Sequence, residues 1–326
     1  MTPRRLAWVV AASACLCLLL WLSRPGAAKV QVVIPPGLSA RETAALLKRE
    51  GVIPSVTLFK LAAKLSGKER RLKPGAYLLR KPTPVWQVLS TLYRGDQEQV
   101  RVVVPEGFMA KQIADRLESL GVTDSDDFME YVRANNLEGY LFPTTYFFSR
   151  SLAADKVAHH MLDEFRRSVE PEFAALPQKR FDLTQAVTLA SIVQREAAVI
   201  DEMPMVAAVY CNRLSKRMRL EADPTVQYAY GADTGKWEQK LRFKHLEIVS
   251  KYNTYLHYGL PPGPICSPGV DAIRAVLRPA QSDAIYFVAD NTGRHTFSRT
   301  WAEHSAANER AKEERRRLKG LPPQRR

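Results

Sequence analysis

The sequence has little of what metal or thiol chemistry needs. Of its 326 residues, four are cysteine and six are histidine. There is no Cys-x-x-Cys pair and no His-Glu-x-x-His helix. His159, His160, His245, His257, His295 and His304 are scattered, so no metal ligand set and no cofactor is expected. Cys15 and Cys17 lie in an apolar run. Cys211 and Cys266 either pair in an oxidising space or stay as two buried thiols. No Gly-x-Ser-x-Gly nucleophile elbow occurs. Gly231 to Trp237 misses a phosphate loop: three residues separate its glycines where four are needed, and Trp237 stands where Ser or Thr belongs. Acidic residues are also short, 34 against 48 basic, for a formal charge of +14 and a pI near 9.7. That excess favours an anionic partner. No nucleic-acid-binding module accompanies it, so nucleic acid is not expected. Carboxylate chemistry, or no chemistry, remains.

A long uncharged run, Leu6 to Leu22, follows Arg4 and Arg5. Its seventeen residues are short for a membrane span and long for a signal-peptide core. An uncleaved anchor is preferred over a signal peptide cut near Gly26-Ala27-Ala28. Arg4 and Arg5 then stay cytoplasmic, and everything after Ser23 lies outside the cytoplasm. At the other end, KEERRRLKGLPPQRR lacks apolar periodicity and reads as a solvated, frayed tail.

Between these ends a pattern repeats. Val30 to Gly37 (VQVVIPPG) returns as Val100 to Gly107 (VRVVVPEG), and Ala40 to Gly51 returns as Ala110 to Gly121. Alternation followed by two helical spacings predicts two strand–helix–helix units. In the first, Ser39 to Gly51 and Ser55 to Leu65 read as helices and Ala76 to Leu79 as a strand. A further helix follows Thr83-Pro84 and is closed by Gly95. Tyr140, Phe142 and Tyr146 to Phe148 form an aromatic cluster, either core or the wall of a sugar cleft. A long helix is expected from Ala153 to Val169. Gly259 to Pro264 (GLPPGP) is neither helix nor central strand and must be a rigid loop. Ala284 to Asp290 reads as a buried strand, Gly293 to Phe297 as a turn into its partner, and Trp301 to Ala311 as a final helix.

The chemistry points to Asp182–Ile200, DLTQAVTLASIVQREAAVI. Asp182 with Gln185 resembles a capping box. At about 100° per residue, Leu189, Ile192, Val193 and Ile200 share a stripe, and Glu196 falls inside it. Its neighbours three and four positions away are apolar, so no helical ion pair satisfies it. A carboxyl so placed has a raised pKa and holds the proton a general acid needs. The plain alternative is a helix that ends early, leaving Glu196 in solvent beside Arg195.

Ala190 to Glu196, Asn212-Arg213-Leu214, Asp223-Pro224-Thr225-Val226 and Tyr252-Asn253-Thr254-Tyr255 together resemble the MltG (YceG-like) family of endolytic murein transglycosylases. Gly259 to Ile265, Tyr286 to Asp290, His295 before Phe297, and Glu138 to Pro143 match as well. Gln194 and Cys266-Ser267 depart from the family pattern. The resemblance implies an α+β protein with an N-terminal transmembrane helix, a small LysM-like strand–helix–helix–strand module and a larger mixed α+β catalytic domain. The expected division is a cytoplasmic end 1–5, an anchor 6–22, a linker 23–28 and a LysM-like module 29–95. A second strand–helix–helix unit and connection, 96–175, a catalytic domain, 176–311, and a basic tail, 312–326, complete it. The implied location is the inner membrane, single-pass, with most of the chain periplasmic. Implied partners are peptidoglycan glycan strands and the membrane itself, with peptidoglycan synthases as candidates. The implied reaction is that of a lyase of cell-wall biogenesis: non-hydrolytic cleavage of the MurNAc–GlcNAc β-1,4 bond, leaving 1,6-anhydro ends. Glu196 is the implied catalytic residue, with Asp223, Thr225, Asn253, Tyr255 and Asn212 orienting the sugar. Asp223 before a proline also suits a turn or helix cap. A non-enzymatic peptidoglycan-binding or scaffold protein is the competing class, and a hydrolase would need a second carboxylate such as Asp223 or Glu221.

Overall fold

The computed structural model describes residues 26–35, 37–176, 180–237 and 241–318. These fall into two compact units, one ending at Val100 with Phe147–Leu152 added, the other made of Arg101–Tyr146 and the chain from Ala153.

In the first unit, β1 (Ala28–Ile34) is followed by α1 (Ala40–Arg49), α2 (Val56–Leu65), β2 (Gly75–Lys81) and α3 (Val85–Arg94). Local chemistry starts and stops these elements. Ser39 and Glu42 form a reciprocal capping box at α1, and the Ser55 side chain caps α2. Gly95, at φ 78°, ends α3 in the left-handed conformation that glycine adopts without a Cβ clash. β1 and β2 pair antiparallel from Ala28 opposite Lys81 to Ile34 opposite Gly75. Val32 and Ile34 from β1, Leu47 from α1, Phe59 from α2 and Val88 and Leu92 from α3 share one core.

The second copy of the repeat follows: β3 (Gln99–Val103), α4 (Ala110–Ser119) and α5 (Ser125–Ala134) reproduce the strand–helix–helix order. β4 (Thr145–Ser149) and the long α6 (Ala154–Ala174) come next. α7 (Leu183–Glu196) is the centre of the second unit, buried without a break from Ala186 to Val193. α8 (Met203–Ser215) and α10 (Val270–Leu277) pack on it, and α9 (Asp223–Gly231) lies between those two in the chain. β5 (Tyr286–Ala289) pairs antiparallel with β6 (His295–Ser298), and α11 (Trp301–Leu318) packs on both strands. α11 carries helix into the stretch expected to fray, over 312–318.

The structure corrects three linked expectations. Among the described residues no helix is long and apolar enough to cross a membrane, and the expected anchor, 6–22, lies outside them. The transmembrane helix, the inner-membrane location and the membrane partner thus find no support in the described residues, which form a mixed α+β fold. The LysM-like module is corrected too. The first unit does not close at its second strand: Val88, Leu89 and Leu92 of α3 belong to the same core, so the apolar faces of α1 and α2 need a fifth element to cover them.

Candidate active site

Asp182 starts α7 as its sequence suggests, accepting from Gln185 N–H at 2.7 Å while Gln185 accepts from Asp182 N–H. The end comes sooner than the apolar pattern implies. Glu196 is the last helical residue, and Ala197 turns to extended backbone. Ile200, expected on the buried stripe, is 60% exposed. The early stop does not send Glu196 into bulk water. A short 3-10 turn, Ile200–Glu202, leads into α8 with Pro204 in its first turn, and the chain reverses. Tyr210 of α8 then donates its hydroxyl to Glu196 Oε1 at 2.8 Å.

Glu196 opens into a cavity of about 260 Å³. Its polar lining is Glu196, Tyr210, Arg213, Glu221, Asp223 and Tyr255, and its aromatic lining includes Tyr286, Phe287, Trp301 and His304. Burial pushes the Glu196 carboxyl up to about 7. The Tyr210 hydrogen bond opposes the shift, the negative Asp223 adds to it, and Arg195 and Arg213 oppose it. Burial, then the charge of Glu196, raises the Tyr210 hydroxyl well above its ordinary value, so it remains a donor. At neutral pH the Glu196 carboxyl is thus poised between its two protonation states, as proton donation followed by proton recovery requires.

Asp223 and Tyr255 are joined directly, the Tyr255 hydroxyl donating to Asp223 Oδ1 at 2.7 Å. A buried clamp brings them together. Thr225 Oγ1 and Thr254 Oγ1 lie 2.9 Å apart, Thr254 Oγ1 accepts from Ala222 N–H, and Thr225 donates to Ala222 O. The other candidates sit behind the cavity rather than on it. Asn253 is fully buried and donates to Leu246 O and Ile248 O at 2.8 and 2.9 Å. Asn212 donates to Ser282 O and Ala284 O, and Arg213 Nε to Ile285 O. Those bonds pin the segment that delivers Tyr286 and Phe287 to the cavity.

Residues that the sequence named only as parts of motifs complete the site. Arg213 is 8% exposed and donates to Leu220 O and to Glu221 Oε2. Phe287 meets the Tyr210 ring edge-on at 5.8 Å and the His295 ring at 5.1 Å. His295 Nδ1 lies 2.8 Å from Glu202 Oε2, and its backbone N–H donates to the same carboxylate. The pair ties the start of β6 to the turn after α7. The Asn-Arg-Leu, Tyr286 to Asp290 and His-x-Phe motifs pointed to Arg213, Phe287 and His295, whereas no motif contained Tyr210 or Glu202.

Glu138 provides a useful contrast. Burial also pushes its carboxyl up to about 7, against hydrogen bonds from Ala110 N–H and the Tyr228 hydroxyl. It lines no part of the cavity around Glu196. A shifted carboxyl alone does not mark a candidate; one that also faces an open cleft does. Ser191 accepts from Ile265 N–H and Gln194 from Gly269 N–H, so the Pro-Gly loop is anchored on α7. Cys211 and Cys266 are both free and buried. Among the described residues, no group of three or more His, Cys, Asp or Glu is arranged to hold a metal.

The YceG-like family profile matches residues 32–310. An endolytic murein transglycosylase of Bacillus subtilis (strain 168) is 30% identical over 308 residues, covering 86% of this chain and 84% of the relative. One from Streptococcus pneumoniae serotype 2 (strain D39 / NCTC 7466) is 28% identical over 84% of this chain and 57% of its own length. A crystal structure of a yceG-like protein from Listeria monocytogenes matches with a TM-score of 0.56 at 31% identity, covering 85% of this chain and 98% of that one.

Proposed function

The chain belongs to the YceG-like family, and from that premise we propose that it is an endolytic lytic transglycosylase of peptidoglycan. It cuts the β-1,4 bond between N-acetylmuramic acid and N-acetylglucosamine without water. The observation that carries this reading is the Glu196 carboxyl, raised to about 7 and facing the cavity. The names of the relatives support the substrate class.

Protonated Glu196 donates to the leaving glycosidic oxygen as positive charge develops at C1 of the muramic acid. The carboxylate it leaves is stabilised by the Tyr210 hydroxyl and the nearby Arg213 charge. It then takes the proton of the C6 hydroxyl, whose oxygen attacks C1. The C1–O4 bond breaks, the C1–O6 bond forms, and the proton count balances with Glu196 returned to its acid form. An internal nucleophile has the proximity advantage of an intramolecular reaction. Asp223 and Tyr255 orient the sugar; Asn212, Thr225 and Asn253 hold the walls.

A hydrolytic reading has one specific observation behind it: Asp223 and Glu221 share the cavity with Glu196, and a water-using glycosidase needs a second carboxylate. Both are engaged, Asp223 by Tyr255 and Glu221 by Arg213, which favours the internal nucleophile. Mass spectrometry of digested sacculi decides. Anhydro ends support the proposal, reducing ends one water heavier support hydrolysis, and no released fragment leaves a binding or scaffold protein. Glu196→Gln should abolish the anhydro ends in a chain that still folds.

A further inference from the structure

We propose that Trp301, backed by Tyr286 and His304, is a stacking platform for the apolar face of one pyranose ring, a glycan subsite beside Glu196. The inference rests on the cavity being a glycan site and adds where a sugar ring lies in it. Trp301 opens α11 and lines the cavity, yet 66% of its surface is open to solvent. What sets it apart from other exposed side chains is that it lines the cavity and clusters with two further rings there.

The ring is held in position before any ligand arrives. It meets Tyr286 edge-on at 5.8 Å and His304 at 5.4 Å, and Tyr286 and His304 stack at 5.2 Å with planes 22° apart. The Arg213 guanidinium sits 5.3 Å from the centre of the Tyr286 ring. Burial, then the Arg213 charge, holds His304 below its ordinary value, so it is an uncharged ring at neutral pH. Three mutually fixed rings have little side-chain freedom left to lose on binding.

The rest of the cavity selects the ligand class. Glu196, Glu221 and Asp223 line it, which disfavours phosphate or another compact anion. Hydroxyl-rich rings suit it, with C–H faces for the aromatics and hydroxyls for the acceptors.

The test is calorimetric titration of purified, peptide-free glycan strands into the full chain carrying Glu196→Gln, which binds without cutting. Adding Trp301→Ala or Trp301→Leu is expected to weaken binding about tenfold, or about 1.4 kcal/mol, whereas Trp301→Tyr restores most of it. Strand binding should also change tryptophan emission in the parent and not in the Trp301→Tyr chain. Binding within twofold of the parent for both the Ala and Leu variants overturns the platform, as does a parent that binds no strand. Failure of the catalytic reading looks different: strands held through Trp301 but left uncut by the unsubstituted chain.

Discussion

The Tyr210 hydroxyl donates to Glu196 Oε1 at 2.8 Å, joining the last residue of one helix to the middle of the next. A donor to a carboxylate favours the ionised form. Tyr210→Phe therefore raises the Glu196 pKa. The alkaline limb of the rate profile, expected near pH 7 in the unsubstituted chain, should move up by roughly half to one unit, the worth of one hydrogen bond. Initial rates of strand cleavage between about pH 5 and pH 9 measure it. A limb that stays put or moves down removes Glu196 as the titrating acid.

Asp223 acts in the opposite sense, since its negative charge raises the Glu196 pKa. Asp223→Asn should move the same limb to lower pH, while turnover below it persists. If Asp223 were instead the base or nucleophile of a hydrolase, turnover would fall by about two to four orders of magnitude at every pH. Rate–pH profiles of the variant, with end-group analysis, separate the two.

Stability should carry the same signature. The folded Glu196 pKa, about 7, lies above its ordinary 4.5, so the folded chain binds the proton more tightly. The stabilisation is complete below about pH 4.5 and is lost as pH rises through about 7. Glu196→Gln removes this dependence. The variant's Tm relative to the unsubstituted chain should therefore climb across that window and level off above it. The gain is on the order of 1–3 kcal/mol, reduced by the partial exposure of the residue. Thermal unfolding at acid and alkaline pH tests this; a constant offset between the two chains would contradict it.

Asn253 is expected to matter through the scaffold. Asn253→Ala strands the carbonyls of Leu246 and Ile248 and should cost about 1–3 kcal/mol. Denaturant unfolding should show that loss, with the KM for glycan strands changed less than kcat. An unmoved unfolding midpoint with a large rise in KM would make Asn253 a direct sugar ligand.

Local physics made much of this protein readable in advance. The Asp182–Gln185 box, the repeated strand–helix–helix order and the Gly-Pro loop each depend on residues a few positions apart, and each stands in the structure as its spacing implies. Glu196 was visible for the same reason, as an acid among apolar helical neighbours. The end of its helix was not, because Ala197 to Ile200 continue the apolar pattern while the backbone leaves it. Side chains that share a cavity across long stretches of chain carry no mutual spacing signal. The turn Ile200–Glu202 brings Tyr210 to Glu196, while the Asn212 and Arg213 anchors before β5 and the return through β6 to α11 put Tyr286 and Trp301 in the same cavity. Periodicity and capping depend on nearest neighbours and can be read along a line. The company a carboxyl keeps, and with it its proton affinity, is decided by burial and by charges that only folding brings close.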